Sequence, residues 1–199
     1  LGAMKNMEAP EGKITGVTYF LKASQHLKLY KKIMPQLKSV GLITEVGHPG
    51  TPIDQKGTKA ACGELGITYN ELSLAKGDDV KAKVTELAGK VDLLILGNEA
   101  WVFDSAEAIA AAAGTTPVAS YAEKPVKGKH AFIGLVPSDE KLGQMLGDSV
   151  VDVVVNGKAV KDVPVKTDNK PNIVICLDKM KAWKVRIPIS IIKVAKLIK

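Results

Sequence analysis

The sequence predicts an α/β fold, a three-layer Rossmann-like parallel sheet between helices, on three observations. Short apolar runs recur along the chain, stretches with helical spacing separate them, and glycine or proline punctuates the joins. The organising run is VDLLILGNEAWVF, residues 91–103. Val91 and Leu93 to Leu96 are nearly unbroken in apolar character, which suits a strand covered on both faces. At Gly97 the chain turns polar, with Asn98 and Glu99 followed by the aromatic Trp101. Ligands of open α/β sheets sit just beyond the carboxyl ends of strands, so residues 98–101 are expected to form one wall of a site.

Residues 1–13 read as a loose polar lead-in, and 14–20 as a short strand or extended crossing. Ser24 is a plausible N-cap for a helix through Leu37, with Leu27, Tyr30, Ile33, Met34 and Leu37 on one face and Pro35 expected to end it early. Residues 40–44 form a second buried strand, and 45–51 a polar loop of turn formers. A helix over 53–65 stops at Gly66. A strand at 67–74, a helix at 78–88 and the 91–96 strand follow. Asp104 or Ser105 caps an alanine-rich helix through Ala113. Strands are expected at 117–121 and 131–136. Ser138 or Asp139 caps a long helix to about Val155, stopped by Asn156-Gly157. Residues 163–166 are an extended crossing, 173–177 a last strand, and Ile187-Pro188 opens a C-terminal amphipathic helix. Alternation of this kind means right-handed crossovers and helices on both faces.

With 199 residues, 46% hydrophobic and 25% charged, the chain is long enough for a real core. The formal net charge of +7 is a lysine excess spread along every segment, with Arg186 the only arginine. Nucleic-acid readers concentrate arginine and interleave aromatics, so no nucleic-acid partner is expected. Cys62 and Cys176 belong to no CxxC pair and no histidine cluster. Two buried thiols are the plain reading, a single disulfide the other, and a metal site is not expected. No run approaches the ~20 apolar residues of a membrane span.

The chemistry-bearing motifs are few. There is no GxSxG, no GxxxxGK[ST] and no GxGxxG after a first strand, which leaves hydrolase and nucleotide-cradle readings without support. Of His26, His48 and His130, only His48 lies in a loop with an acid, Glu45, nearby. The strand-end loops fit binding better: Glu45, His48 and Thr51 follow one strand, Asn98, Glu99 and Trp101 a second, Ser120 and Tyr121 a third. Polar groups and aromatic faces on neighbouring strand ends are what a small-solute pocket requires. Trp101 and Tyr121 have a second reading as packing residues.

Taken in order, several pieces resemble the substrate-binding proteins of ABC transporters that include aromatic-amino-acid binders. Residues 12–17, GKITGV, resemble that family's GNITGV crossing, and LYKKIMPQLKSVG at 29–41 is similar to its helix, turn and strand. Glu64 to Ile67, Gly89 to Asp92, Pro117-Val118, residues 156–165 and Arg186 to Pro188 match further pieces in the family's order. Cys176 and Glu45 stand where the family usually has asparagine.

The resemblance implies a periplasmic-binding-protein-like lobe of a hinge-bending, extracytoplasmic solute-binding component of an ABC importer. Such a component is periplasmic or lipid-anchored at the outer face of the membrane; it binds no cofactor, is not an enzyme, and partners a membrane permease. It further implies a lead-in and hinge crossing at 1–20, a substrate-binding lobe at 21–137, a helix packing toward the first lobe and a crossing at 138–164, and a return strand and C-terminal helix at 165–199. The first lobe would precede residue 1, and a homodimer through the surface it leaves is a further expectation. The solute, which includes the amino-acid class, would meet Glu45, His48, Thr51, Asn98, Trp101, Ser120 and Tyr121. Two alternatives stand beside this reading: a ligand-sensing regulatory domain of the same architecture, and an α/β enzyme using His48 and Glu45.

Overall fold

The computed structural model describes residues 6–199, so the first five positions of the expected lead-in lie outside it. The described chain forms two compact units, residues 6–21 with Pro137–Asn172, and Lys22–Val136 with Ile173–Lys199.

In the first unit, strand β1 (Val17–Thr18) is followed after the crossing by nothing of this unit until residue 137. The second unit then opens with helix α1 (Ala23–Ile33), β2 (Ser39–Glu45), α2 (Thr51–Leu65), β3 (Thr68–Leu74), α3 (Val80–Ala88) and β4 (Leu93–Leu96). It continues through α4 (Ala100–Asp104), α5 (Ala106–Ala112), β5 (Val118–Ser120), α6 (Glu123–Lys127) and β6 (Ile133–Val136). The first unit resumes with α7 (Asp139–Val150), a π-helical turn at Val151–Val155, a 3-10 turn at Val160–Asp162 and β7 (Lys166–Thr167). The second unit ends with β8 (Asn172–Cys176), whose first residue marks the border, then α8 (Leu177–Ala182), α9 (Ile189–Ile192) and β9 (Lys196–Ile198).

Seven strands of the second unit make one sheet in the order β3-β2-β4-β5-β6-β8-β9. The pairs β2–β3, β2–β4, β4–β5, β5–β6 and β8–β9 are parallel. Alternation along β4 builds the three layers: Leu93 and Ile95 join a cluster with Leu27, Tyr30 and Cys62, and Leu94 and Leu96 join one with Val84, Leu87 and Ile109. Both faces are therefore buried, as the unbroken run LLIL requires. Gly41 on β2 lets α3 approach closely, since a Cβ there would stand 2.8 Å from Leu87 Cδ2. Both cysteines are free and buried, which removes the disulfide reading.

In the first unit, β1 and β7 pair in parallel. Thr15 Oγ1 donates to the Val163 carbonyl at 2.5 Å, and Lys166 N–H to the Gly16 carbonyl at 2.9 Å. Asp168 is buried and accepts the N–H groups of Ser138 and Lys170 at 2.9 Å each. Burial opposes its charge, but those two N–H groups and Lys141 outweigh it and hold the carboxyl below the ordinary aspartate range. Leu146, Val150, Val151, Val154 and Val155 are all exposed along α7 and the π-helical turn.

Three local expectations change, and the early end expected from Pro35 is met. The first helix begins at Ala23, behind Lys22, and Ser24 lies inside it without a capping bond. Pro35 cannot supply the N–H a continued helix would need, and the helix ends at Ile33. Trp101 lies in a short helix of its own that begins at Ala100, with Ser105 separating α4 from α5. The expected C-terminal amphipathic helix is one turn, after which Lys196–Ile198 pairs with Val174–Cys176; the β-branched run Ile189, Ile191, Ile192 and Val194 disfavours a longer helix, and sheet pairing takes the rest. Among the described residues no helix is long and apolar enough to cross a membrane.

Candidate functional site

Strands β2, β4 and β5 are neighbours and run in parallel, so their carboxyl ends share one edge of the sheet. The chain leaves β2 toward β3 on one side and returns to β4 on the other. A reversal of this kind opens a crevice beyond the strand ends, and the candidate site is built there.

Glu45 closes β2 and is half-buried. The turn after it needs Gly47 in the left-handed region, φ 79°, which a glycine adopts at no steric cost. His48 Nδ1 accepts the Gly50 N–H at 3.1 Å, so that nitrogen is occupied in shaping the turn. Thr51 starts α2 and is buried, with Oγ1 2.7 Å from the Glu45 carbonyl and 3.1 Å from Glu99 Oε1. Pro52 in the first turn suits a helix start, and Asp54 is the acid of that turn, at the positive end of the helix dipole.

From β4, Gly97 N–H donates to the Ile43 carbonyl at 2.9 Å. Asn98 is exposed, and its backbone N–H donates to Asp54 Oδ2 at 2.9 Å. Glu99 is fully buried. Its carboxyl folds back over Gly97, where a Cβ would collide with Oε2 and stand 3.1 Å from the Ile43 carbonyl. Only a glycine leaves that space.

From β5, Ser120 is buried; its Oγ accepts the Ala122 N–H at 3.0 Å and its carbonyl accepts the Tyr30 hydroxyl at 3.1 Å. Tyr121 is half-buried, its ring 4.4 Å from that of buried His26. Tyr121 Oη lies 2.8 Å from Thr58 Oγ1, and Thr58 donates its own proton to the Asp54 carbonyl at 2.6 Å. Tyr121 is therefore the donor to Thr58. Trp101 packs half-buried against the cluster around Val102 and Ala106.

The electrostatics are unusual for a chain with seven excess positive charges. Burial, then the Asp54 charge, pushes the Glu99 carboxyl up to about 7, with Glu45 adding to the rise, while a Thr51 hydrogen bond given to the charged form and Glu99's own N–H would oppose it. Burial also raises Asp54, against the Asn98 N–H and His48. His26 is pushed down to about 3 by burial. Among the described residues no group of three or more histidines, cysteines and acids is arranged to hold a metal ion.

The structure thus links Glu45, Thr51 and Glu99 in one network, and Asn98, Asp54, Thr58 and Tyr121 in a second that shares α2. The side chains of Ser120 and Trp101 belong to neither network: Ser120 Oγ is taken by the Ala122 N–H, and Trp101 packs on the core. Asp54 and Thr58 were not among the sequence-derived site residues; Glu99 was named with Asn98 and Trp101 at the end of its strand. Asp54 was legible as the first-turn acid of a Thr-Pro-x-Asp helix start, had the helix been begun at Thr51 rather than Ile53.

The model of the ABC transporter substrate binding protein family matches residues 1–199. The chain belongs to this family. Among curated relatives, the tyrosine-binding protein of Clostridioides difficile (strain R20291) is 24% identical over 182 residues, covering 91% of this chain and 52% of the relative. The family member therefore spans about half the length of the curated relative it matches. Among solved structures, a ligand-free, open substrate binding protein with adhesive properties from Clostridium difficile shares 24% identity at a TM-score of 0.85, covering 100% of this chain and 66% of that one. An ABC domain in complex with L-Trp from Streptococcus pneumonia shares 22% at a TM-score of 0.79, covering 98% and 68%. At these identities the likeness to the solved structures is one of fold.

Proposed function

We propose that this member of the substrate-binding family binds an amino acid at the carboxyl ends of β2, β4 and β5, as the extracytoplasmic solute-binding component of an ABC importer that hands the solute to a membrane permease. What supports the reading is the pair of acids Glu45 and Asp54 at the sheet's reversal point, with the Asn98 N–H bonded to Asp54 and Tyr121 reaching the same helix through Thr58. Carboxylates at a half-buried strand edge suit an ammonium group, and an amide suits a hydroxyl or a second polar end. The ring of Tyr121 offers an apolar or cation-stacking face. Glu45, His48, Thr51, Asn98, Trp101, Ser120 and Tyr121 line or shape this site, and Asp54 joins them. Recognition without turnover fits His48, whose Nδ1 is already engaged by Gly50.

On the same reading, residues 21–137 form the solute-binding lobe, joined by crossings near residues 20, 137 and 164 to material that belongs to another lobe. The exposed apolar strip from Leu146 to Val155 supports this, as a surface on which further chain packs. A homodimer through that strip is the alternative, and sedimentation of the purified chain separates the two. Calorimetric titration with L-tyrosine and L-tryptophan tests the binding reading: saturable heat that Asp54→Ala weakens is the expected result, and no heat for either, or heat unchanged by the substitution, rejects it.

A further inference from the structure

Thr51 has one hydroxyl proton and two oxygen neighbours. The Glu45 carbonyl, at 2.7 Å, accepts and never donates. Glu99 Oε1, at 3.1 Å, therefore meets a lone pair of Thr51 Oγ1 unless Glu99 itself brings a hydrogen. The second carboxyl oxygen, Oε2, is buried and has no hydrogen-bond partner from another residue. No lysine or arginine pairs with Glu99 among the described residues, and its charged neighbours on the elements packed around it are the acids Asp54 and Glu45, with His48 beside Asp54. A buried carboxylate with no cation and two acidic neighbours is among the costliest groups a protein can hold.

We infer that Glu99 is a neutral carboxylic acid in the folded chain at near-neutral pH, donating its proton to Thr51 Oγ1 so that Thr51 can donate to the Glu45 carbonyl. Glu99 is then a positioning residue: its O–H orders Thr51, and Thr51 ties the start of α2 to the end of β2, closing the turn that carries His48. Burial and the Asp54 and Glu45 charges lift the proton affinity of the carboxyl; a Thr51 hydrogen given to the carboxylate would lower it, and a proton given by Glu99 to Thr51 removes that opposition. Above neutral pH the proton leaves, Thr51 turns its own hydrogen toward the new carboxylate, and the bond to the Glu45 carbonyl is lost. The clasp opens at the strand tip.

Two consequences follow for the site, and they rest on the binding reading above. Glu99 is not one of the charges that meets a solute ammonium; Glu45 and Asp54 are. Tip order, and with it solute binding, declines as pH rises past neutral.

The test is made without solute, so that its failure is separate from failure of the binding reading. The Glu99 Cδ resonance of the carbon-13-labelled full chain, assigned through bonds, is followed against pH, in the wild type and in Thr51→Val. The expected midpoint is about 7, against about 4.3 for an ordinary glutamate, and Thr51→Val lowers it because the acceptor that favours the protonated form is gone. A midpoint in the ordinary range overturns the proposal. So does a midpoint raised by Thr51→Val, since that shows Glu99 accepting from Thr51 as an anion. Glu99→Gln, which keeps a donor without a titrating proton, is expected to shrink the pH-dependent shift of the Glu45 carbonyl carbon, the acceptor of the Thr51 hydroxyl, between pH 6 and 8.5 relative to the wild type; a shift of the same size in this variant and in the wild type also overturns it.

Discussion

Asp54 and Asn98 meet across the reversal point of the sheet, the Asn98 N–H donating to Asp54 Oδ2 at 2.9 Å. The bond joins the first turn of α2 to the tip of β4, two segments 44 residues apart in sequence. It holds a carboxylate against the backbone of the exposed Asn98. It also puts that carboxylate close enough to Glu99 to raise it.

Asp54→Asn keeps an acceptor for the Asn98 N–H and removes the charge. The Glu99 titration midpoint is expected to fall below about 7, because one of the charges that raises it is gone. Affinity for an amino acid is expected to drop by about 1–3 kcal/mol, the loss for a charged hydrogen-bond partner. Carbon-13 titration reads the first effect and calorimetry the second.

Gly97→Ala forces a Cβ into the space of the buried Glu99 carboxyl, which must shift, and to 3.1 Å from the Ile43 carbonyl, which is fixed in the sheet. A cost of about 1–3 kcal/mol in unfolding free energy is expected from overpacking. Urea denaturation measures it. Gly63→Ala, where a Cβ meets nothing within 4 Å, is the control and is expected to be neutral or stabilising.

Tyr121→Phe removes the donor to Thr58 and keeps the ring against His26. It is expected to cost about 1 kcal/mol of stability, while Tyr121→Ala costs more and also weakens solute binding. Equal stability of the Phe and Ala variants in urea would contradict the stacked geometry.

His26 and Glu99 give the chain opposed pH dependences. His26 is depressed from 6.5 to about 3, so the unfolded chain binds its proton first, and the stability it contributes is full above 6.5 and is lost as pH falls toward 3. Glu99 is raised from 4.5 to about 7, so the folded chain keeps its proton longer, and stability from this group declines as pH rises from 4.5 to 7. Between 4.5 and 6.5 the two slopes oppose each other. His26→Leu is expected to unmask a steady decline over that window, of at most about 1.4 kcal/mol per pH unit. Thermal unfolding at half-unit pH steps reads it, and an unchanged profile would contradict the assignment.

Much of the fold was legible in the residues themselves. The run Leu93–Leu96 reads as a doubly covered strand because apolar residues occupy both of its faces, and Gly66 reads as a helix stop because its φ of 63° is easy only for glycine. The chain's end was not legible: lysines spaced through an apolar run fit one helical face or one strand face, and only pairing with β8 decides between them. The strand-tip placement of the candidate site followed from topology. Its inner acids did not, because nothing local distinguishes exposed Asn98 from buried Glu99 one residue later. Burial of Glu99 comes from the missing Cβ of Gly97 and from Thr51, 48 residues away.

The central claim is that the acidic tip of β2, β4 and β5 recognises the ammonium of an amino acid. Calorimetry of L-tyrosine against its des-amino analogue, 3-(4-hydroxyphenyl)propionate, at pH 6 tests it most directly. The account expects L-tyrosine to bind and the analogue to bind at least about tenfold more weakly, a difference of about 1.4 kcal/mol or more. Equal affinity for the two compounds, or no measurable heat from L-tyrosine, would contradict it.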